Sequence, residues 1–501
     1  MQHLLKWDNV DYFLPMRHFF SNELRDGVLP GWNPFVNLGF PHYADPQSGA
    51  WYPVVWLFSI FKSYGFASLN MEWMLHVFLG GVGMYKLLES FKLNKEAVLV
   101  GAIAFMLSGF NVGTAQILPF IIGACWLPWC LWGFKRFYDE PGAKTSVVLS
   151  LLLYLQITGS YPAFTIVLAY VLVVWWSIGL VKNKLNRPPF LKHTLLVSFL
   201  TLALSSGFIY TFAMNLPELG RSSELVFDQT FVKNSFTFQS WLSFLWPYST
   251  TTEISWFNSD ASMINGFVGL LTLVLALASP FVLRTKYKWF ALVGVLFFLF
   301  SAMADVFPLR FWLYKFVPGF AHFKHPSLLR LYAMFLMIML AAFTFHQLSL
   351  SEKFKRFQSY LFLTFAMIGL GAVLQNIPDF DQFIYAFIQW HTSGEMSKLN
   401  VSDHIAIQGV ITLILSLVFL FLHKKLKKNH LLVFFLAIEM IVAAQLNSNI
   451  TVTNKNSLMR NERALQNIAK VEAQKPIRIA DAAQVHVDLD DIWQNKSVFK
   501  K

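Results

Sequence analysis

The sequence is poor in charged residues and in cysteine, and each shortage excludes a class of protein. Only 14% of its 501 residues are charged, whereas 55% are hydrophobic, and the mean hydropathy is +0.49. A soluble core of this size cannot bury so much apolar surface, which predicts an all-α polytopic membrane protein. The two cysteines, Cys125 and Cys130, lie in one apolar stretch and predict neither a disulfide framework nor a zinc pair.

The sequence also lacks an apolar run at its N-terminus, so no cleavable signal peptide is predicted. Acidic residues are scarce, since 28 Asp and Glu stand against 40 Lys and Arg, which gives a net charge of +12. In a soluble protein this excess would suggest a nucleic-acid partner. Here the basic residues form short clusters between apolar runs, which is typical of membrane topology, and no nucleic-acid partner is expected.

About twelve apolar runs are long enough, or nearly so, to cross a hydrocarbon core, which requires about 20 helical residues. The segment 51–61 is apolar but too short, and we interpret it as re-entrant or interfacial. The runs that predict transmembrane helices lie at 69–91, 96–114, 117–135, 145–160, 162–181, 194–214, 264–283, 289–304, 327–348, 357–375, 405–423 and 430–446.

The basic clusters predict the orientation of these helices, because Lys and Arg in short loops stay on the cytoplasmic side. Six clusters occupy every second connection, near residues 92–95, 135–144, 182–192, 284–288, 353–356 and 424–428. The connections between them face outward, and so do residues 1–63, 215–263, 305–326 and 376–404. We therefore expect a transmembrane domain over 1–446 and the start of an extracytoplasmic, truncated region over 447–501. A further helix is expected before Met1, since nothing upstream of the first outward loop crosses the membrane.

The first outward loop carries the most polar stretch of the chain. Asp8 and Asp11 are three residues apart, a spacing that places both on one face of a short helix. Carboxylates held there suit a general base acting on an acceptor hydroxyl, or a divalent cation site. Solvated loop acids or a helix cap are the plainer alternatives. The same loop supplies further basic and hydrogen-bonding groups: Arg17, His18, Gln47 and Tyr52.

A second outward segment, residues 310–330, concentrates positive charge on the face where topology does not explain it. Its basic residues are Arg310, Lys315, His322, Lys324, His325 and Arg330. An Arg guanidinium can donate two hydrogen bonds to one phosphate, and a Lys ammonium acts as a point charge. The cluster therefore predicts a phosphate or pyrophosphate site. Snorkelling to anionic headgroups is the alternative. Glu439, within the last apolar run, is costly to bury and is expected to pair or to face a cavity.

The sequence resembles the bacterial YfhO-like membrane proteins, which belong to the GT-C type of glycosyltransferases that use lipid-linked sugars. The matching pieces are Asp8 followed by Pro15 and Arg17, LPGWNP at 29–34, ADPQSGAWYP at 44–53, NGFVGLLTL at 265–273, VPGFAHFKHPS at 317–327 and AIEMIVAAQLN at 437–447. The resemblance covers nearly the whole chain, and the first loop is its most specific part. Asp45 departs from the family, whose loop often has Asn at this position.

The resemblance implies a GT-C-like bundle whose first outward loop carries the catalytic carboxylate, here Asp8, with Asp11 as neighbour or alternate. Such enzymes move a sugar from a polyprenyl phosphate to an acceptor on the outer face of the bacterial cytoplasmic membrane. The acceptor would be a cell-envelope glycan, a polymer or a protein. The residues expected to bind the donor phosphate are Arg17, Arg221, Lys324, His325 and Arg330. Those expected to complete the substrate loop are His18, Gln47 and Tyr52.

Two other functions compete with this prediction. A transporter or flippase of a lipid-linked substrate would use the outward basic cluster as a vestibule, and it predicts ionisable residues along a membrane path and two related halves. The sequence offers Glu439 and no clear internal repeat. A non-catalytic membrane accessory protein would make the acids of the first loop dispensable. No cofactor is expected with certainty, and a divalent metal ion at Asp8 and Asp11 is the one candidate.

Overall fold

A computed structural model describes residues 3–36, 39–182, 187–216, 234–351, 354–376, 399–426 and 430–454. Within these ranges the chain forms two compact units. The first comprises the described residues of Met1–Gly83, Thr114–Glu224 and Thr451–Lys501, and the second those of Met84–Gly113 and Leu225–Ile450. Arg221 and most of the tail after 446 lie outside the described residues, so their predicted roles stay predictions.

Helices dominate both units. In chain order they are α1 Leu14–Arg25, α2 Pro53–Phe61, α3 Phe66–Glu89, α4 Lys95–Met106, α5 Gly109–Gly113, α6 Leu118–Asp139, α7 Ala143–Gly159, α8 Pro162–Lys182, α9 Arg187–Asn215, α10 Ile254–Phe257, α11 Leu270–Val282, α12 Tyr287–Ala302, α13 Leu309–Phe316, α14 Arg330–Ser349, α15 Phe354–Asn376, α16 Val401–Leu426, α17 His430–Leu446 and α18 Ser448–Thr451. A π-helix at Asn9–Phe13 leads directly into α1. Short 3-10 helices lie at His42–Ala44, Gln239–Phe244, Pro247–Thr251, Ala261–Met263, Ala304–Val306, Phe320–His322 and Pro326–Leu329.

Each of the twelve predicted apolar runs corresponds to a helix. Among the described residues, seven helical segments are long and apolar enough to cross a membrane, and four further apolar helices, α7, α11, α12 and α17, are shorter. The twelfth, α3, has 24 residues but carries Glu72, His76, Lys86 and Glu89. The predicted all-α polytopic membrane protein is thus confirmed. Segment 51–61 contains the nine-residue α2, which is too short to span a bilayer.

In the first unit, α7 packs against both α6 and α9, and the first loop folds back over α3 and α6. Strand β1, His3–Leu5, pairs antiparallel with β2, Val452–Asn454, with Leu4 opposite Thr453. Proline starts several helices, as Pro53 does in α2, because the first turn needs no N–H donor and favours the fixed φ of proline. The strand pair places the start of the first loop beside residues 452–454.

In the second unit, α14 is the central helix. It packs against α4, α11 and α12, and almost all of its first three turns is buried. Beside this group, α15 and α16 pack closely, since a Cβ at Gly369 of α15 would lie 2.7 Å from the carbonyl oxygen of Gly409 in α16. Small residues at such crossings are typical of helix packing in membranes.

Candidate active site

Asp8 is presented to solvent by an unusual stretch of backbone. Its side chain is exposed, and it stands immediately before the π-helix Asn9–Phe13. The preceding residue, Trp7, has a φ of 58°, the left-handed region that bulky side chains avoid. Single π turns and strained residues both concentrate at functional sites, where surrounding contacts hold them in place. The structure therefore singles out Asp8 by its backbone as well as by its charge.

Two side chains of the π-helix bond to residues outside it. Asn9 is buried and donates a 2.6 Å hydrogen bond from Nδ2 to the carbonyl oxygen of Ala115, just before α6. The hydroxyl of Tyr12 donates to Oδ2 of Asp45, whose other oxygen accepts the backbone N–H of Gln47 at 2.9 Å. One contact comes from the residues before α6 and the other from the second half of the first loop. They fix the turn that carries Asp8.

Asp11 lies in a different environment from Asp8. Its side chain is only 6% exposed and sits inside the π-helix, so the two acids do not share a solvent-exposed face. The predicted pairing of two accessible carboxylates is therefore not formed. Asp45 is buried to the same extent as Asp11 and accepts a hydrogen bond from Tyr12. Of these three acids, Asp8 is the one open to a substrate.

Arg17 is a buried cation that anchors α1 to α3. It is 1% exposed, and its Nη1 forms an ion pair with Glu72 of α3 and lies 3.2 Å from the Tyr64 hydroxyl. Burial alone would lower the pKa of Arg17, but the Glu72 carboxylate and Tyr64 raise it above its ordinary value. This arrangement favours anchoring over the predicted contact with a donor phosphate.

The same side of α1 is tied to the segment that precedes α3. His18 Nδ1 lies 2.9 Å from the Tyr64 carbonyl oxygen, and its Nε2 lies 3.1 Å from Nδ2 of Asn22. Ser21 accepts the backbone N–H of Tyr64 at 2.8 Å. His18 is exposed although these contacts hold its ring in place, and its role in the substrate loop stays a prediction.

Tyr52, predicted to belong to the substrate loop, is completely buried. Its hydroxyl lies 2.6 Å from Nε2 of His76 and accepts the indole N–H of Trp126 at 2.8 Å. Gly159 packs against the ring, and a Cβ there would come within 2.6 Å of it. Gln47 is half-buried at the turn after Asp45. Tyr52 therefore closes the loop onto the helices instead of facing a ligand.

The sequence interpretation missed Glu72 and His76. Both are buried in α3, which hydropathy predicts only as an apolar span. The signal was present, because an ionisable residue within an apolar helix is costly and marks a functional or structural partner.

The described residues contain no group of three or more His, Cys, Asp and Glu side chains arranged to hold a metal ion. Asp8 with its exposed carboxylate suits a hard cation such as Mg²⁺, which often keeps several waters and takes its other ligands from substrate phosphates. A divalent cation at Asp8 and Asp11 stays a prediction. Its other ligands would have to be waters and substrate phosphates.

In the second unit, Arg330 is fully buried at the start of α14. Its guanidinium donates to the carbonyl oxygens of Asn265 at 3.1 Å and Ser262 at 2.7 Å, and to both oxygens of Ser327. Its charge also lies 4.8 Å from the centre of the Phe110 ring. These bonds fasten the segment 262–265 to α14. They favour a structural role over the predicted phosphate contact.

The rest of the basic cluster contains both buried and accessible side chains. Arg310 is buried and donates to the carbonyl oxygens of Phe320 and Phe323 at 2.9 and 2.8 Å. Lys324 and His325 are partly exposed, and His325 Nδ1 lies 3.1 Å from Oδ1 of Asn234. Three described residues of this unit were predicted to bind the donor phosphate: Lys324, His325 and Arg330. Of these, Lys324 and His325 have accessible side chains. Their role in binding a donor phosphate stays a prediction.

The structure is similar to crystal structures of ArnT from Cupriavidus metallidurans. Apo ArnT superposes with a TM-score of 0.51 and 16% identity, over 94% of this chain and 76% of ArnT. ArnT bound to undecaprenyl phosphate superposes with a TM-score of 0.52 and 14% identity, over 95% of this chain and 77% of ArnT. The chain has the GT-C fold.

The GT-C fold confirms the predicted fold class of the chain. No protein-family model matches the sequence, and no curated protein is detectably similar to it. At 14–16% identity the likeness to ArnT is one of fold, so the roles of individual residues must be argued from their own geometry.

Proposed function

We propose that this protein is a YfhO-like membrane glycosyltransferase that moves a sugar from a polyprenyl phosphate to an extracytoplasmic acceptor. The observation that carries the proposal is the exposed Asp8 carboxylate, held between a left-handed residue and a π-helix in a GT-C fold. ArnT, which has the same fold, binds undecaprenyl phosphate, and this supports a lipid-linked donor. The acceptor is a glycan, a polymer or a protein of the cell envelope.

The proposed reaction is a single displacement at the anomeric carbon. Asp8 accepts the proton of the acceptor hydroxyl as its oxygen bonds to the anomeric carbon. The bond from that carbon to the phosphate oxygen breaks, and the polyprenyl phosphate leaves with the electron pair. Asp8 needs no unusual basicity if cations neutralise the departing phosphate. Attack on the face opposite the leaving group inverts the anomeric configuration, as the GT-C resemblance implies.

Lys324 and His325 are proposed to bind the donor phosphate, with Arg221 as a further ligand. Lys324 suits this role because its side chain is partly exposed, and it forms no hydrogen bond or ion pair with another described residue. A lysine ammonium is a compact charge that adapts to the changing position of a phosphate oxygen. The site is proposed to face outward from the bacterial cytoplasmic membrane.

Replacing Asp8 by Asn tests the proposal. Asp8→Asn keeps the shape of the side chain but removes the base, so we expect transfer to fall by about 100-fold or more. The matched control is Asp26→Asn, an exposed acid at the other end of α1, which should retain wild-type activity. Both variants should insert and fold as the wild type does. Full transfer by Asp8→Asn would refute the assignment of the base.

A further inference from the structure

Two buried residues of α3 hold the two ends of the first loop. Glu72 and His76 are four residues apart, and positions i and i+4 lie on the same face of a helix. Glu72 pairs with Arg17, near the beginning of the loop, and His76 bonds to Tyr52, near its end. All four side chains are at most 1% exposed. We call this arrangement of Arg17, Tyr52, Glu72 and His76 the α3 clamp.

At the Arg17 end of the α3 clamp, the bonds converge on one carboxylate oxygen. Oε2 of Glu72 accepts from Arg17 and from the Tyr64 hydroxyl, the latter at 2.6 Å. A buried ion pair adds little net stability, because removing both charges from water is costly. Its directional hydrogen bonds do restrict how the partners can pack. An ion pair of this kind therefore fixes the orientation of α1 more than it stabilises the fold.

At the Tyr52 end, each hydrogen bond determines the direction of the next. His76 Nδ1 lies 2.7 Å from the backbone carbonyl oxygen of Glu72, so Nδ1 carries the proton. His76 Nε2 must then accept from the Tyr52 hydroxyl, and the Tyr52 oxygen accepts from Trp126. This chain of bonds runs from α6 through the loop to α3, and it has one consistent arrangement.

The α3 clamp acts on Asp8 through continuous helical backbone. The π-helix that follows Asp8 runs without a break into α1, which carries Arg17. The end of the loop held by Tyr52 includes Asp45, which bonds to Tyr12 in that π-helix. Fixing both ends of the loop on one helix face therefore fixes the turn that presents the Asp8 carboxylate.

We propose that Glu72 and His76 are positioning residues for glycosyl transfer, which set the direction of the Asp8 carboxylate through Arg17 and Tyr52. This inference rests on the proposed function of Asp8. Misplacing a catalytic group by about 1 Å can cost about 100-fold in rate. Loss of the clamp should therefore lower kcat while the KM for the donor changes little, because all four clamp side chains are buried away from the surface that a donor reaches.

The first test replaces the ion pair by apolar residues. Glu72→Gln should lower kcat by about 10- to 100-fold and also lower the melting temperature, because Arg17 loses its partner. The double variant Arg17→Met, Glu72→Leu should recover the melting temperature, since apolar replacements of buried pairs pack well. It should not recover kcat. Recovery of both together would overturn the inference and leave the pair a purely structural role.

Milder variants keep the proposal testable if the double variant does not fold. Tyr64→Phe and Tyr52→Phe each remove one hydroxyl from the hydrogen bonds at one end of the clamp. Each should lower kcat by about tenfold at unchanged donor KM. The control is Glu89→Gln, which breaks the exposed Lys86–Glu89 pair at the far end of α3 and should leave kcat unchanged.

The outcomes separate this inference from the proposed function. Full activity of Asp8→Asn refutes the proposed function, whatever the clamp variants do. An inactive Asp8→Asn together with wild-type kcat in both tyrosine variants refutes the clamp alone. Equal losses of kcat in the Glu89→Gln control would also contradict it, because the effect would then not depend on the clamp residues.

Discussion

Two acids three residues apart have opposite environments in the first loop. Asp8 is exposed and Asp11 is buried, because a π turn at Asn9–Phe13 changes the side-chain directions that an α-helix would give. The sequence spacing predicted a shared face and could not indicate the π turn. Likewise, the family resemblance predicted Arg17 and Arg330 as phosphate ligands, and for Arg330 the basic cluster did so too. The structure instead buries both side chains against distant partners. Arg17 pairs with Glu72, 55 positions away, and Arg330 bonds to Asn265, 65 positions away, so no local sequence pattern could indicate these contacts.

His42 is a second buried group of the first loop, and it predicts a pH effect on stability. The ring is fully buried beside Phe19 and Phe20, and neither ring nitrogen has a hydrogen-bond partner among the described residues. Burial lowers the pKa of His42 to about 4, below its ordinary value of 6.5. Between these values the unfolded chain binds more protons than the folded one, so stability falls as the pH falls.

Replacing His42 by Leu should remove this pH dependence. The wild type should lose up to about 3 kcal/mol relative to His42→Leu between pH 6.5 and 4. At pH 7 the variant should be as stable as the wild type or more stable, because two unsatisfied polar atoms are removed. Unfolding of purified protein in detergent across this pH range measures the difference. Parallel curves for the two proteins would contradict the account.

At the scale of helices, sequence and structure agree closely on where the elements lie. The apolar runs predicted each long helix because bilayer thickness sets the length of a spanning segment. The sequence did not predict which side chains connect one helix to another. Glu439 of α17 was expected to pair or to face a cavity, and it does both. Its carboxylate lies 3.2 Å from the backbone N–H of Leu270, and it borders a narrow cavity with Gln408 and Thr412.

Glu439 thereby caps the first turn of α11. The N–H groups of a first turn have no partner within their own helix, and an acceptor from another helix satisfies one of them. Glu439→Leu should destabilise the protein by about 1–3 kcal/mol, since the Leu270 N–H then stays buried and unpaired. Glu439→Gln keeps an acceptor oxygen and should cost much less. Equal melting temperatures for the Leu and Gln variants would show that the cap contributes nothing.

At the scale of the whole molecule, hydropathy and basic loops predicted a multi-pass membrane protein, and the structure confirms it with the GT-C fold. The fold was predictable because helix lengths and their alternation depend on the bilayer more than on exact packing. The candidate site was only partly predictable. Its most polar segment was identified, but the α3 clamp requires contacts between the first loop and α3 that spacing does not encode.

The fold also bears on the competing functions. A transporter is expected to place ionisable residues along a path through the membrane. Five buried ionisable side chains are instead bonded within the protein: Arg17 and Glu72 to each other, Arg310 and Arg330 to backbone carbonyls, and Glu439 to a helix terminus. These partners favour a structural role for these side chains over a path for a transported substrate.

The most direct test of the proposed activity is turnover of a lipid-linked sugar by the purified protein in liposomes. Polyprenyl phosphates that carry different radiolabelled sugars are supplied with cell-envelope acceptor, and labelled glycan and free polyprenyl phosphate are measured. We predict that both products appear together with the wild type and that both fall by about 100-fold or more with Asp8→Asn. Movement of intact donor across the bilayer without release of polyprenyl phosphate would contradict the account and identify a transporter instead.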